Sequence, residues 1–132
     1  MARILVIEDD EYLRTAVRDI LSDAGHFVFV AKNGREGLSR YREQWPDLVI
    51  TDIFMPELNG LEVIRELAAT GVSIVAMSAG GPLDRRNPLE DATRLGASGV
   101  LVKPFTLESL MAAVNGALAS LRPKLSRSTP AA

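Results

Sequence analysis

Four apolar runs in this 132-residue chain each end in side chains able to do acid, metal or phosphoryl chemistry. Ile4–Ile7 runs into Glu8-Asp9-Asp10, and Leu48–Ile50 into Thr51-Asp52. Ile74–Met77 runs into Ser78-Ala79-Gly80, and Val100–Val102 into Lys103-Pro104. Carboxylates brought together repel: two unit charges about 4 Å apart, at an effective dielectric of about 20, cost about 4 kcal/mol. Such a cluster raises its own pKa values or recruits a cation. Hard oxygen donors without His or Cys favour Mg2+, which keeps some of its waters and completes its shell with phosphate oxygens. With an ammonium and a hydroxyl opposite, the pattern points to phosphoryl chemistry. Taken singly, each residue has a plainer role. Acids after a strand complement a helix N-terminus, a lone Asp caps or turns the chain, and Lys103 and Ser78 are ordinary surface residues. Chemistry requires all of them to reach one edge of the fold.

The elements between these stretches supply that edge. The four runs, together with Phe27–Val30, are rich in Val and Ile and nearly uninterrupted, as strands covered on both faces read. Leu13, Ala16, Val17, Ile20, Leu21 and Ala24 follow a helical period, and Gly25 supplies a stop. Asn33 with Glu36, and Asn59 with Glu62, have capping-box spacing, and Thr106 precedes a further amphipathic stretch from Leu107 to Leu121. Five strands alternating with about five helices predict an α/β fold, a flavodoxin-like three-layer (βα)5 sandwich with parallel sheet order 2-1-3-4-5. In such a sheet ligands bind at the carboxyl ends of the strands, where Glu8, Asp9, Asp52, Ser78 and Lys103 stand.

Residues 1–121 form the expected domain and 122–132, with two prolines and small polar residues, a flexible tail. Fifteen Lys and Arg against seventeen Asp and Glu give a net charge of −2, no electrostatic footprint for nucleic acid or an anionic membrane. There is no cysteine, hence no disulfide framework and no thiolate chemistry. No apolar run approaches the ~18 residues of a membrane span, so the expected location is cytoplasmic. A P-loop pattern is absent, against an NTPase. His26, the one histidine, opens the second strand away from the rim. Trp45 is expected to pack between helix and strand, and Met55 and Met111 to fill core.

The stretches Ile4-Leu-Val-Ile-Glu-Asp-Asp10, Asp47-Leu-Val-Ile-Thr-Asp-Ile-Phe-Met-Pro56 with Asn59-Gly60, Met77-Ser-Ala79, Gly96-Ala97 and Leu101-Val-Lys-Pro-Phe105 together resemble the receiver domain of two-component response regulators. The likeness runs over residues 2–121. It implies that Asp52 is the phosphoacceptor, attacking the phosphorus of a phosphohistidine on a sensor histidine kinase or histidine phosphotransfer protein. It implies Mg2+ (or Mn2+) held by Glu8, Asp9, Asp52 and the backbone carbonyl of Phe54, with Lys103 pairing with the phosphoryl group and Ser78 moving onto it. It also implies a cis bond before Pro104. The chain would be no enzyme beyond its own phosphorylation and dephosphorylation. With only about 11 residues after the domain, it would act alone through protein contacts, on the face of helix four, strand five and helix five. Monomer and phosphorylation-dependent dimer both stay open.

Three features depart from the family. Val100 stands where relatives carry a switch aromatic, so the change on phosphorylation is expected in the backbone after strand four (Ser78, Ala79, Gly80) and in the fourth helix. The segment between Ser78 and Gly96 is longer than usual and rich in Gly and Pro, a candidate for order–disorder switching or a tolerated insertion. Phe54 and Gly80 offer a hydrolytic water no hydrogen bond, which predicts slow loss of the phosphoryl group. One alternative is a receiver-like binding module acting through constitutive interactions, its switch degraded. Another, an aspartyl phosphohydrolase, lacks its second acid because Phe54 occupies that position.

Overall fold

A computed structural model of the chain describes residues 1–53, 60–78 and 88–119. Ten elements alternate along it: β1 (Arg3–Ile7), α1 (Glu11–Asp23), β2 (Phe27–Ala31), α2 (Gly34–Gln44), β3 (Leu48–Asp52), α3 (Gly60–Ala68), β4 (Ser73–Ser78), α4 (Pro88–Leu95), β5 (Gly99–Val102) and α5 (Leu107–Ala119). All strand pairs are parallel and the order is β2-β1-β3-β4-β5, the α/β sandwich expected from the alternation of patterns. The expected tail, 122–132, and residues 80–87 of the breaker-rich loop lie outside the described residues.

Successive strand residues point to opposite faces, and each face has its own apolar layer. Leu5, Ile7, Val49, Ile74 and Ala76 join Val63, Ile64 and Leu67 of α3 on one side. Ile4, Val6, Leu48, Ile50, Val75 and Met77 join Val17 and Leu21 of α1 and Leu110 and Val114 of α5 on the other. This two-sided cover is why β1, β3 and β4 read as unbroken apolar runs. The outer strands differ from that expectation. In β5, Val100 and Val102 are exposed while Leu101 is buried, and Phe27 of β2 is exposed as well. Helices lie over the middle of the sheet, so a strand with one neighbour keeps part of its surface in water.

Helix ends follow the local chemistry. Gly25, at φ +96°, closes α1, with its N–H on Ser22 O and that of His26 on Leu21 O. Asn33 caps α2 by accepting from Glu36 N–H at 2.8 Å, while the Glu36 carboxylate reaches back to Lys32 N–H rather than to the cap residue itself. Thr106 accepts from Ser109 N–H at 3.0 Å and opens α5. Asn59 lies outside the described residues. Trp45 is a half-exposed left-handed cap (φ +49°) that stacks on Tyr41 of its own helix instead of packing between layers. Met111 packs, partly buried, on the α1–α5 side, and Met55 is outside the described residues.

Candidate functional site

Register alone brings the acids together. Ile7 pairs with Thr51, so the following residues, Glu8 and Asp52, leave the sheet side by side. Asp52 is level with Met77 of β4, Ser78 is level with Val102 of β5, and Lys103 follows immediately. The lysine stem reaches back over β4, and its Nζ donates to Asp52 Oδ2 at 3.0 Å and to Glu8 Oε1 at 2.7 Å. Oxygens of Glu8, Asp9 and Asp52 lie within 4.8 Å of one another. Glu8 is fully buried, Asp52 is 5% exposed, and Asp9 opens to water.

Asp10 does not join them. Its side chain accepts from Tyr12 N–H at 3.0 Å and caps α1, while its own N–H donates to Glu8 Oε2 at 3.0 Å. The acidic triplet thus divides between chemistry and capping, with three carboxylates in the cluster including Asp52. His26 is remote from the rim; its Nδ1 accepts from Ala2 N–H. Ser78 is fully buried at the end of β4, beside the strand that carries Asp52. Val100 is 41% exposed on the sheet edge. The Lys103–Pro104 bond is cis, as expected. Phe54, Ala79 and Gly80 lie outside the described residues.

Three supporting contacts were not read from the sequence, although Thr51 and Gly60 stand in the stretches quoted above. Arg14 Nη1 donates to the Glu8 carbonyl at 3.0 Å and pins the β1–α1 turn; its position one helical turn after Asp10 was the available signal. Thr51 Oγ1 donates to the Asp52 carbonyl at 3.0 Å, tying down the backbone of that residue. Gly60 donates its N–H to Ile53 O at 2.8 Å, and a Cβ there would collide with the backbone of Asp52 and Ile53. Nothing in a single sequence separates such a close-approach glycine from a turn glycine.

Electrostatics follow from burial. Loss of water pushes the Glu8 carboxyl up to about 7, against the hydrogen bonds from Lys103 and the Asp10 N–H, with Asp9 and Asp52 adding to the rise. Burial pulls the Lys103 ammonium down, but its hydrogen bonds to Glu8 and Asp52 outweigh this and the net shift is upward. Lys103 therefore stays charged, and among the described residues it is the one ammonium bonded to this cluster. Such a set of hard oxygens, one face open to water, can hold a metal ion. Beside it lies a depression of about 340 Å3 lined by Asp10, Leu13, Lys103, Pro104 and Phe105.

Because Glu8 titrates near 7 in the fold and near 4.5 as a free side chain, the folded protein holds a proton that the unfolded chain has lost between those values. Its stabilising effect is complete below about 4.5 and disappears as pH rises through about 7. Urea unfolding in EDTA should therefore show Glu8→Gln gaining stability relative to wild type between pH 4.5 and pH 7. A mutant-to-wild-type difference that is flat over that window would contradict the assignment.

The family model described as "Response regulator receiver domain" matches residues 4–115. The response regulator MprA of Mycolicibacterium vanbaalenii is 41% identical over 97% of this chain and 52% of its own length. The chain thus spans about half the length of the curated relatives it matches. A response regulator receiver domain protein from Clostridium thermocellum superimposes with TM-score 0.79 at 30% identity, covering 90% of this chain and 95% of that one. The chemotaxis response regulator CheY4 of Vibrio cholerae gives TM-score 0.80 at 29% identity, covering 89% and 99%. Fold, rim chemistry and both kinds of likeness agree: the chain belongs to the response regulator receiver domain family.

Proposed function

We propose that this domain takes a phosphoryl group from a phosphohistidine of a sensor histidine kinase or histidine phosphotransfer protein onto Asp52, in the cytoplasm, and signals through protein contacts. The observation that carries this is the Lys103 ammonium bonded to both Glu8 and Asp52 beside three clustered carboxylates. An Asp52 oxygen forms a bond to phosphorus while the phosphorus–nitrogen bond of the donor breaks, the electron pair returning to the imidazole. A carboxylate is a weak nucleophile but needs no deprotonation near neutrality, so catalysis rests on positioning and charge neutralisation. Glu8, Asp9 and Asp52, with the Phe54 carbonyl, would hold Mg2+ or Mn2+, which when bound supplies neutralisation of the charge spread over the phosphoryl oxygens. Lys103 offers a second positive charge to those oxygens, and Ser78 a hydroxyl at the neighbouring strand end. The domain acts on no other substrate.

Incubation of the purified chain with acetyl phosphate and Mg2+, followed by intact mass measurement, should add one phosphoryl group to wild type and none to Asp52→Ala. With Phe54 and Gly80 offering no hydrogen bond to a hydrolytic water, the adduct should outlast a minutes-long chase. Phosphorylation of the Asp52→Ala chain would refute the assignment, and loss of the adduct within seconds would refute the shielding.

For output we propose the face of α4, β5 and α5. Val100 carries no ring, so the change at Asp52 passes through the backbone after β4 and through α4. An exposed valine on the sheet edge equally favours a second reading, a module whose contacts are constitutive. Amide NMR with beryllofluoride and Mg2+ separates them. Shifts extending to Leu95 support transmission through α4, and shifts confined to Glu8–Asp10, Asp52 and Lys103 support the constitutive module.

A further inference from the structure

The sheet has an unguarded edge far from the phosphoacceptor. Among the described residues strand β2 has β1 as its one neighbour, and its sequence, Phe27-Val-Phe-Val-Ala31, holds no charge, proline or glycine to discourage another strand. The opposite edge, β5, is shorter and begins with Gly99. Phe27 N–H donates to Ala2 O at 2.8 Å, and Ala31 O accepts from Glu8 N–H at 3.0 Å. Phe27, Phe29 and Ala31 thus turn their backbone groups toward β1, and the alternation turns those of His26, Val28, Val30 and Lys32 outward. Two of the outward N–H groups are already used: His26 donates to Leu21 O and Lys32 to Glu36 Oε1. The remaining outward N–H groups belong to Val28 and Val30.

We infer that this edge pairs with a second copy of the chain, antiparallel about a two-fold axis at Phe29, joining two five-stranded sheets into one. In that register Val28 of one copy faces Val30 of the other, and both N–H and both C=O groups of each valine pair are exchanged. A shift of one residue either way leaves a valine carbonyl opposite a backbone N–H that is already committed. The side chains fit the same register. The exposed Phe27 falls opposite the small Ala31 of the second copy, and the two Phe29 residues face each other at positions where strands approach closely.

Charge makes the second copy the fitting occupant. Helix α1 ends at Asp23 with no basic residue in its last turn, so a carboxylate adds to the negative end of the helix dipole. The antiparallel register sets the exposed Lys32 of each copy opposite His26 of the other, three residues beyond that terminus. Two identical complementary contacts result, as a closed two-fold interface requires.

Sedimentation velocity over a wide concentration range tests this on the full chain, without phosphodonor and again with beryllofluoride and Mg2+. The expected result is a concentration-dependent dimer of similar strength in both conditions. Phe27→Lys, a change at an exposed position that should leave the circular dichroism unchanged, should weaken it about tenfold or more. Asp23→Lys and Lys32→Glu should each weaken it, and the double variant should recover it. A monomer at every concentration would overturn the inference. So would a dimer formed only with beryllofluoride, one indifferent to Phe27→Lys, or a double variant no stronger than the singles.

Discussion

Two carboxylates leave water at the ends of neighbouring strands, and one ammonium from a third strand meets both. Nearly everything else in the fold serves that arrangement. Glu8 and Asp52 are each almost wholly enclosed, a placement that costs several kcal/mol per ion when no partner is supplied. Lys103 compensates part of the charge, yet Glu8 still holds its proton to about 7. The cluster is therefore under-neutralised, and the open side at Asp9 is where a further cation reduces the repulsion. A site tuned this way favours the binding of positive charge.

The topology explains why these particular residues meet. Parallel strands send all carboxyl ends to one edge, and the reversal of strand order puts β1 and β3 side by side although two helices and β2 separate them in sequence. The two apolar layers hold β1, β3 and β4 rigid on both faces, so the acids emerge from fixed backbone rather than from mobile loops. Arg14, Thr51 and Gly60 then hold the backbone at those strand ends. The outer strands carry less cover. At one edge that exposure leaves Val100 and Val102 in contact with water, and at the other it leaves the backbone of Val28 and Val30 able to pair.

Much of this was legible in the chain. The Ile4–Ile7 and Leu48–Ile50 runs, each broken by acid, marked both strands and their functional ends, and Asn33 and Thr106 announced two helix starts. Strands extended further than their apolar cores because ladder bonding enlists polar Thr51, Asp52 and Ser78, which hydropathy alone places outside. The capping role of Asp10 was ambiguous, since three adjacent acids look alike until backbone geometry assigns each a direction. Direct pairing of Lys103 with Glu8 was also hidden, because it depends on how a long side chain crosses β4. Exposure of Val100 and Phe27 depended on strand order, which a local pattern does not carry.

The central claim is that Glu8, Asp9 and Asp52 form one cation site around which phosphoryl transfer is organised. Substoichiometric Mn2+ added to isotope-labelled protein, with backbone amide signals followed by NMR, tests it most directly. Paramagnetic broadening should centre on Glu8–Asp10, Asp52–Ile53 and Lys103, and Asp52→Asn should sharply reduce it. Broadening that persists in Asp52→Asn, or that spreads over other acidic surfaces such as Glu62 and Glu66, would contradict the account.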